Sequence, residues 1–104
     1  MKAALTKEQI LSELAARQQE LKQYGVQRIG LFGSFVRNEA TNESDIDLLT
    51  EFIAEKKTLK NLVHLGDFLE QLFDRKVEIV TPQSLSKYIG PYILNEVEYA
   101  TFND

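Results

Sequence analysis

With 104 residues, 43% hydrophobic and 27% charged, the chain suffices for one domain with a modest core and is too apolar for wholesale disorder. A formal charge of -4 withholds the basic footprint of a general nucleic-acid binder; one histidine and no cysteine exclude disulfides, thiolate zinc sites, cysteine nucleophiles and most zinc-enzyme designs. No apolar run approaches the ~20 residues of a membrane span, and Met1-Lys2-Ala3-Ala4 leads into a helix-like segment rather than a signal-peptide core, so a cytoplasmic protein of one domain, 1–104, is expected.

Thr6 stands three residues before Gln9, the form of a capping box. Ile10, Leu14 and Leu21, with Leu11 and Ala15 beside them, then recur at helical spacing, and Gly25 after Tyr24 fits a helix stop. Residues 26–32, rich in Val, Ile, Leu and Phe, read as a first strand that Gly33-Ser34 breaks. A short helix is expected over 35–39 and a polar loop over 40–44. Residues 45–52 alternate as a second strand, with Asp45, Asp47 and Leu49 on one face and Ile46 and Leu48 on the other. Leu59, Leu62, Leu65, Leu69 and Leu72 form a helical stripe over 58–73. Residues 76–81, short and β-branched, read as a third strand ended by Pro82. Ser84 is placed to cap a helix carrying Leu85, Tyr88 and Ile89, interrupted at Gly90-Pro91 and resuming over 92–97. The tail from Tyr99 receives no assignment.

The fold class that follows is α/β (α+β): a small mixed β-sheet with helices packed on one face and the other face partly open. A helix joins the second and third strands, so that pair is expected to be parallel with a right-handed crossover. Only a short connection joins the first two, which leaves them free to be antiparallel.

Residues 33–47 read GSFVRNEATNESDID, a Gly-Ser pair followed after ten residues by Asp-x-Asp. Carboxylates two apart on a strand lie about 6.5–7 Å from one another on one face, close enough to converge on ions between them. Their repulsion is roughly 2–3 kcal/mol at an effective dielectric of 20, and a divalent cation reverses its sign. Mg²⁺ prefers hard oxygen ligands and shares them with substrate phosphates. Gly33 lacks a Cβ, so a triphosphate can come close to the backbone. Ser34 offers an N–H and a hydroxyl at the positive end of the expected 35–39 helix, with Arg37 one turn on. Glu78 on the third strand can reach the same ions if that strand lies beside the second, and can accept the proton of an incoming hydroxyl. No Walker A loop follows the first strand, and the protein-kinase motifs are absent.

Gly-Ser, ten residues and Asp-x-Asp resembles the polymerase-β-like nucleotidyltransferase superfamily. The string GLFGSFVRNEATNESDIDLL in so short a chain is similar to its minimal branch, the MntA-type antitoxins paired with HEPN toxins, which are helical ribonucleases. The resemblance runs from about Ile29 to Val80. It implies transfer of AMP from ATP to a tyrosine hydroxyl of a cognate HEPN-type toxin, which silences that toxin, with release of pyrophosphate. Gly33 and Ser34 would hold the triphosphate, and Asp45 and Asp47 two Mg²⁺ ions; Arg37, by its position alone, is placed to neutralise a phosphate oxygen. Glu78 would stand where the family often has an Asp.

Plainer readings stand beside these. Gly33 also suits an ordinary turn. Arg37 also suits a surface ion pair with Glu39 or Glu43, and Glu78 a cross-strand pairing with a lysine. His64 on a helix that covers the sheet receives no role. Phe32, Phe35, Phe52, Phe68 and Phe73 are expected in the core, and Tyr88, Tyr92 and Tyr99 at core edges or a partner contact. The alternative function is a non-catalytic module that neutralises a toxin by burying its surface. No direct nucleic-acid or membrane partner is expected, and homo- and hetero-oligomers both remain open.

Overall fold

The structure, a computed structural model, describes residues 5–103; residues 1–4, and with them the expectation of no signal-peptide core, lie outside the described residues, as does Asp104. Helix α1, Lys7–Ala16, begins on the expected capping box: the Thr6 hydroxyl accepts from the Gln9 N–H at 3.2 Å, and the Gln9 side chain accepts from the Thr6 N–H at 3.0 Å. Such a cap contributes about 1 kcal/mol. The helix does not continue to Tyr24. It breaks at Arg17, and a second helix, α2, spans Gln18–Gln23. Leu14 and Leu21 are both fully buried in one core cluster, and their seven-residue spacing could not reveal the break. Gly25 closes α2 at φ +88°, a conformation that favours glycine.

Strands β1 (Val26–Phe32) and β2 (Ile46–Phe52) pair antiparallel, and β3 (Val77–Val80) lies parallel to β2. Helix α3, Leu59–Phe73, makes the crossover between β2 and β3, capped by Thr58. Of its leucine stripe, Leu65 and Leu69 are fully buried, whereas Leu59 is exposed at the helix start. A fourth strand, β4 (Glu98–Tyr99), pairs antiparallel with β1 and gives the sheet order β3-β2-β1-β4.

Residues 84–89 do not form the expected helix. The Ser84 hydroxyl turns back to the Thr81 carbonyl at 2.8 Å and closes a 3-10 turn over Pro82–Ser84. Gly90-Pro91, expected as an interruption, opens helix α4 (Gly90–Glu96) instead. Proline suits a first turn because the N–H it lacks has no partner there.

The sheet's two faces differ. Ile29, Leu31, Ile46, Leu48 and Val77 face one side and are packed with Ile10, Leu14, Leu21, Leu65 and Leu69 from α1, α2 and α3. Fully burying each such side chain contributes about 1.5–3 kcal/mol, so this layer carries the fold. Phe32 and Phe35 are buried, and Phe52, Phe68 and Phe73 pack partly buried against the core. The opposite face is partly covered by the chain after α4. A Cβ on Gly30 would lie 2.6 Å from Val97 and 2.8 Å from Tyr99, so glycine lets this segment sit flush on β1.

Candidate active site

The strand register brings the predicted residues together on the less covered face. In β1 and β2, Phe32 lies opposite Asp47, so Gly33 leaves β1 beside the aspartate. In β2 and β3, Asp47 lies opposite Glu78. Period-two alternation turns Ile46 and Leu48 into the core and leaves Asp47 on the other side. Asp45 immediately precedes β2 rather than lying within it.

Gly33 is fixed by two independent constraints. Its φ is +80°, and a Cβ added there would collide with the Asp47 carboxylate. The glycine therefore meets the acid directly. The expected helix over 35–39 is replaced by a 3-10 turn, Gly33–Phe35. The Gly33 carbonyl accepts from the N–H groups of Val36 (3.1 Å) and Arg37 (3.2 Å), and Asn38 turns the chain at φ 59°. A turn this short has no appreciable macrodipole, so the helix-end argument for anion binding falls. The Gly33 N–H and the Arg37 guanidinium remain as donors.

Both donors are engaged by a residue that sequence reasoning missed. Glu96, at the end of α4, accepts from the Gly33 N–H through Oε2 at 2.6 Å and from Arg37 Nη1 through Oε1 at 2.9 Å and Oε2 at 3.1 Å. Arg37 Nε also donates to Glu39 Oε1 at 2.7 Å, the ion pair weighed from the sequence. The Arg37 pKa is raised, first by the Glu39 hydrogen bond and then by Glu96. Nothing near residue 96 in the chain announces this contact, which spans 63 positions to Gly33.

The acids are electrostatically frustrated. Burial, followed by the charges of Glu78 and Asp45 and a hydrogen bond with Glu78, pushes the Asp47 carboxyl up from 3.8 to about 6, while Arg37 pulls it down. Glu78 acts on Asp47 from the opposite register position of β3, and Asp45 acts through its charge. The three do not form a ready-made cage: among the described residues, no group of three His, Cys, Asp or Glu side chains is placed to hold an ion. The donor set nonetheless fits a hard divalent cation in chemistry, because it is all oxygen, carries excess negative charge and penalises ionised Asp47.

Arg75, between α3 and β3, fixes the approach to these acids. Its Nη1 donates to the carbonyls of Thr41 (3.0 Å) and Ser44 (2.8 Å), and its guanidinium lies 5.1 Å from the Phe35 ring centroid. The 41–44 loop is closed on itself by the Thr41 N–H donating to Ser44 Oγ at 2.8 Å. Ser34 is partly buried at the turn, and His64 is exposed on α3.

Residues 8–101 match the family model described as the nucleotidyltransferase domain. The chain belongs to the nucleotidyltransferase family. A relative from Thermococcus cleftensis named protein adenylyltransferase MntA is 42% identical over 98 residues, covering 93% of this chain and 98% of the relative. A solved structure provisionally described as a minimal nucleotidyltransferase superposes with a TM-score of 0.78 at 30% identity, over 93% of this chain and 98% of the other. A crystal structure described as a toxin-antitoxin with AMP-PNP shares the fold at a TM-score of 0.66 and 20% identity, covering 86% of this chain and 74% of that one. The polymerase-β-like nucleotidyltransferase fold and the enzyme class expected from the sequence both hold. Among the described residues, no helix of this nucleotidyltransferase is long and apolar enough to cross a membrane.

Proposed function

We propose that the chain is a single-domain, Mg²⁺-dependent protein adenylyltransferase of the cytoplasm, moving AMP from ATP to a tyrosine hydroxyl of a cognate HEPN-type ribonuclease toxin and so acting as its antitoxin. The observation that carries this reading is the direct meeting of Gly33 with Asp47 and the register that sets Asp47 opposite Glu78. The name of the Thermococcus relative supports a protein acceptor and transfer of an adenylyl group, and that of the toxin-antitoxin structure an adenine nucleotide.

In this reading Gly33 and Ser34 hold the triphosphate, and Arg37 neutralises one of its oxygens. Asp45, Asp47 and Glu78 are the ligands for the two metal ions. Magnesium, when bound, supplies charge neutralisation for the acids and polarises the phosphates. The acceptor oxygen bonds to the α-phosphorus, the bond from that phosphorus to the β-bridging oxygen breaks, and pyrophosphate leaves. A carboxylate of the Asp47–Glu78 pair takes the hydroxyl proton.

The test is transfer of label from α-labelled ATP to the toxin. Wild type with Mg²⁺ should label it, and the double variant Asp45→Asn, Asp47→Asn should not. An intact, metal-supplied protein that labels nothing on its cognate toxin contradicts the proposal. The second reading, a non-catalytic module that buries the toxin surface, is favoured by the exposed Tyr88, Ile89, Tyr92 and Leu94 in and before α4. Under that reading the double variant neutralises the toxin as well as wild type does.

A further inference from the structure

The Gly33 N–H and Arg37 are the donors assigned above to phosphate, and a carboxylate of the chain itself already engages them. We propose that Glu96 is an internal competitor for the phosphate cradle, which a nucleotide must displace before it binds. This rests on the function proposed above and adds a regulatory element to that site.

Three contacts define the occupant. Glu96 Oε2 accepts from the Gly33 N–H at 2.6 Å, and its two oxygens accept from Arg37 Nη1 at 2.9 and 3.1 Å. The carboxylate thus takes one backbone N–H and one guanidinium, the donor pair with which proteins commonly hold a phosphate oxygen. It is a tethered anion, and its side chain is only 23% exposed. The surroundings confine the motion to that side chain. Val97 follows at once, donates its N–H to the Ile93 carbonyl at 2.9 Å and lies against Gly30. Tyr99 then pairs with Gly30 in β4. With the backbone pinned on both sides of residue 96, opening the cradle needs a rotamer change at Glu96 and no movement of α4.

The consequence follows from population arithmetic. A ligand that binds only the open cradle has its affinity reduced by the fraction of time the cradle is open. Glu96 therefore lowers the affinity of every anion equally and sets a threshold that a multiply charged triphosphate passes and a weaker anion does not. Glu39 gives the control. It shares Arg37 at 2.7 Å, but its hydrogen bond there does not involve Gly33.

Calorimetric titration of the full chain with inorganic tripolyphosphate and Mg²⁺ tests this directly. Glu96→Ala should bind at least about tenfold tighter than wild type, whereas Glu39→Ala, which removes the same charge, should gain less than about threefold. In nitrogen-proton correlation spectra of the ligand-free proteins, the Gly33 amide of wild type should resonate downfield and move upfield in Glu96→Ala. An affinity for Glu96→Ala equal to wild type overturns the proposal, as does an equal gain in Glu39→Ala or an unmoved Gly33 amide. If wild type binds and Glu96→Ala binds no tighter, this inference alone fails. If neither binds tripolyphosphate or ATP, the proposed function fails and takes the inference with it.

Discussion

On one face of the sheet, β2 places Ile46, Leu48 and Thr50, each fully buried. On the other it places Asp47, whose carboxyl is pushed to about 6 by burial and by Glu78 and Asp45. Neighbouring residues of one strand thus meet opposite environments, and only the pleat separates them. Apart from the Thr50 hydroxyl, the inward face is satisfied as it stands, with apolar side chains against apolar helices. The outward face stores repulsion that only a cation or a proton relieves. The site's strain is thus carried by a sheet whose stability comes mainly from its opposite, apolar face.

Substitutions on the two faces should therefore behave oppositely. Leu48→Ala should cost about 2–5 kcal/mol, a large share of a small domain's stability, read as a fall in the chemical-denaturation midpoint. Asp47→Asn should lower transfer of AMP by about 10²–10³-fold, the usual loss when one electrostatic stabiliser is removed, while the fold stays intact. Gly33→Ala should cost about 1–3 kcal/mol through left-handed strain together with the collision with Asp47. Part of that cost should vanish in an Asp47→Ala background, so a double-mutant cycle measures whether the two sites touch.

The same Asp47→Asn change should raise metal-free stability by about 1 kcal/mol, after the half-exposed carboxylate is discounted for solvent screening, or about 4–8 °C in melting temperature. Its pH dependence has a definite sign. The folded-state value, about 6, lies above the ordinary 3.8, so the folded protein holds a proton that the unfolded chain releases. The stability of wild type relative to Asp47→Asn should be lowest and flat above about pH 6, and should rise as the pH falls toward about 4. The inward face has one flaw of its own: Thr50 Oγ1 is buried with no hydrogen-bond partner among the described residues. Thr50→Val should stabilise by up to about 1 kcal/mol, a small gain visible in the same denaturation assay.

What the sequence revealed was what acts over short range. The Thr6–Gln9 cap, the alternation of β2 and the leucine stripe of α3 each follow from residues within two turns or a few strand positions. The meeting of Gly33 with Asp47 was legible because the thirteen residues between them left the two strands free to be antiparallel, and the Gly-Ser, Asp-x-Asp spacing marks the turn that joins them. The break at Arg17 was hidden because Leu14 and Leu21 keep helical spacing across it. Gly90-Pro91 was read as a stop, although proline fits the start of a helix equally well. Strand β4 is two residues long, too short for any periodicity, and exists through its pairing with β1. Glu96 was out of reach for a similar reason: its position depends on how α4 returns to the sheet, which only the folded chain decides.

The central claim is that the turn at Gly33 and the acids Asp45, Asp47 and Glu78 serve one cation-and-phosphate site. Paramagnetic broadening by Mn²⁺, with a non-hydrolysable ATP analogue present, reports on it residue by residue. The amides of Gly33, Ser34, Asp45, Asp47 and Glu78 should broaden first and together, and the effect should disappear in the Asp45→Asn, Asp47→Asn protein. Broadening that spares Gly33 and Glu78, or that centres instead on the surface acids of α1 and α2, contradicts the account.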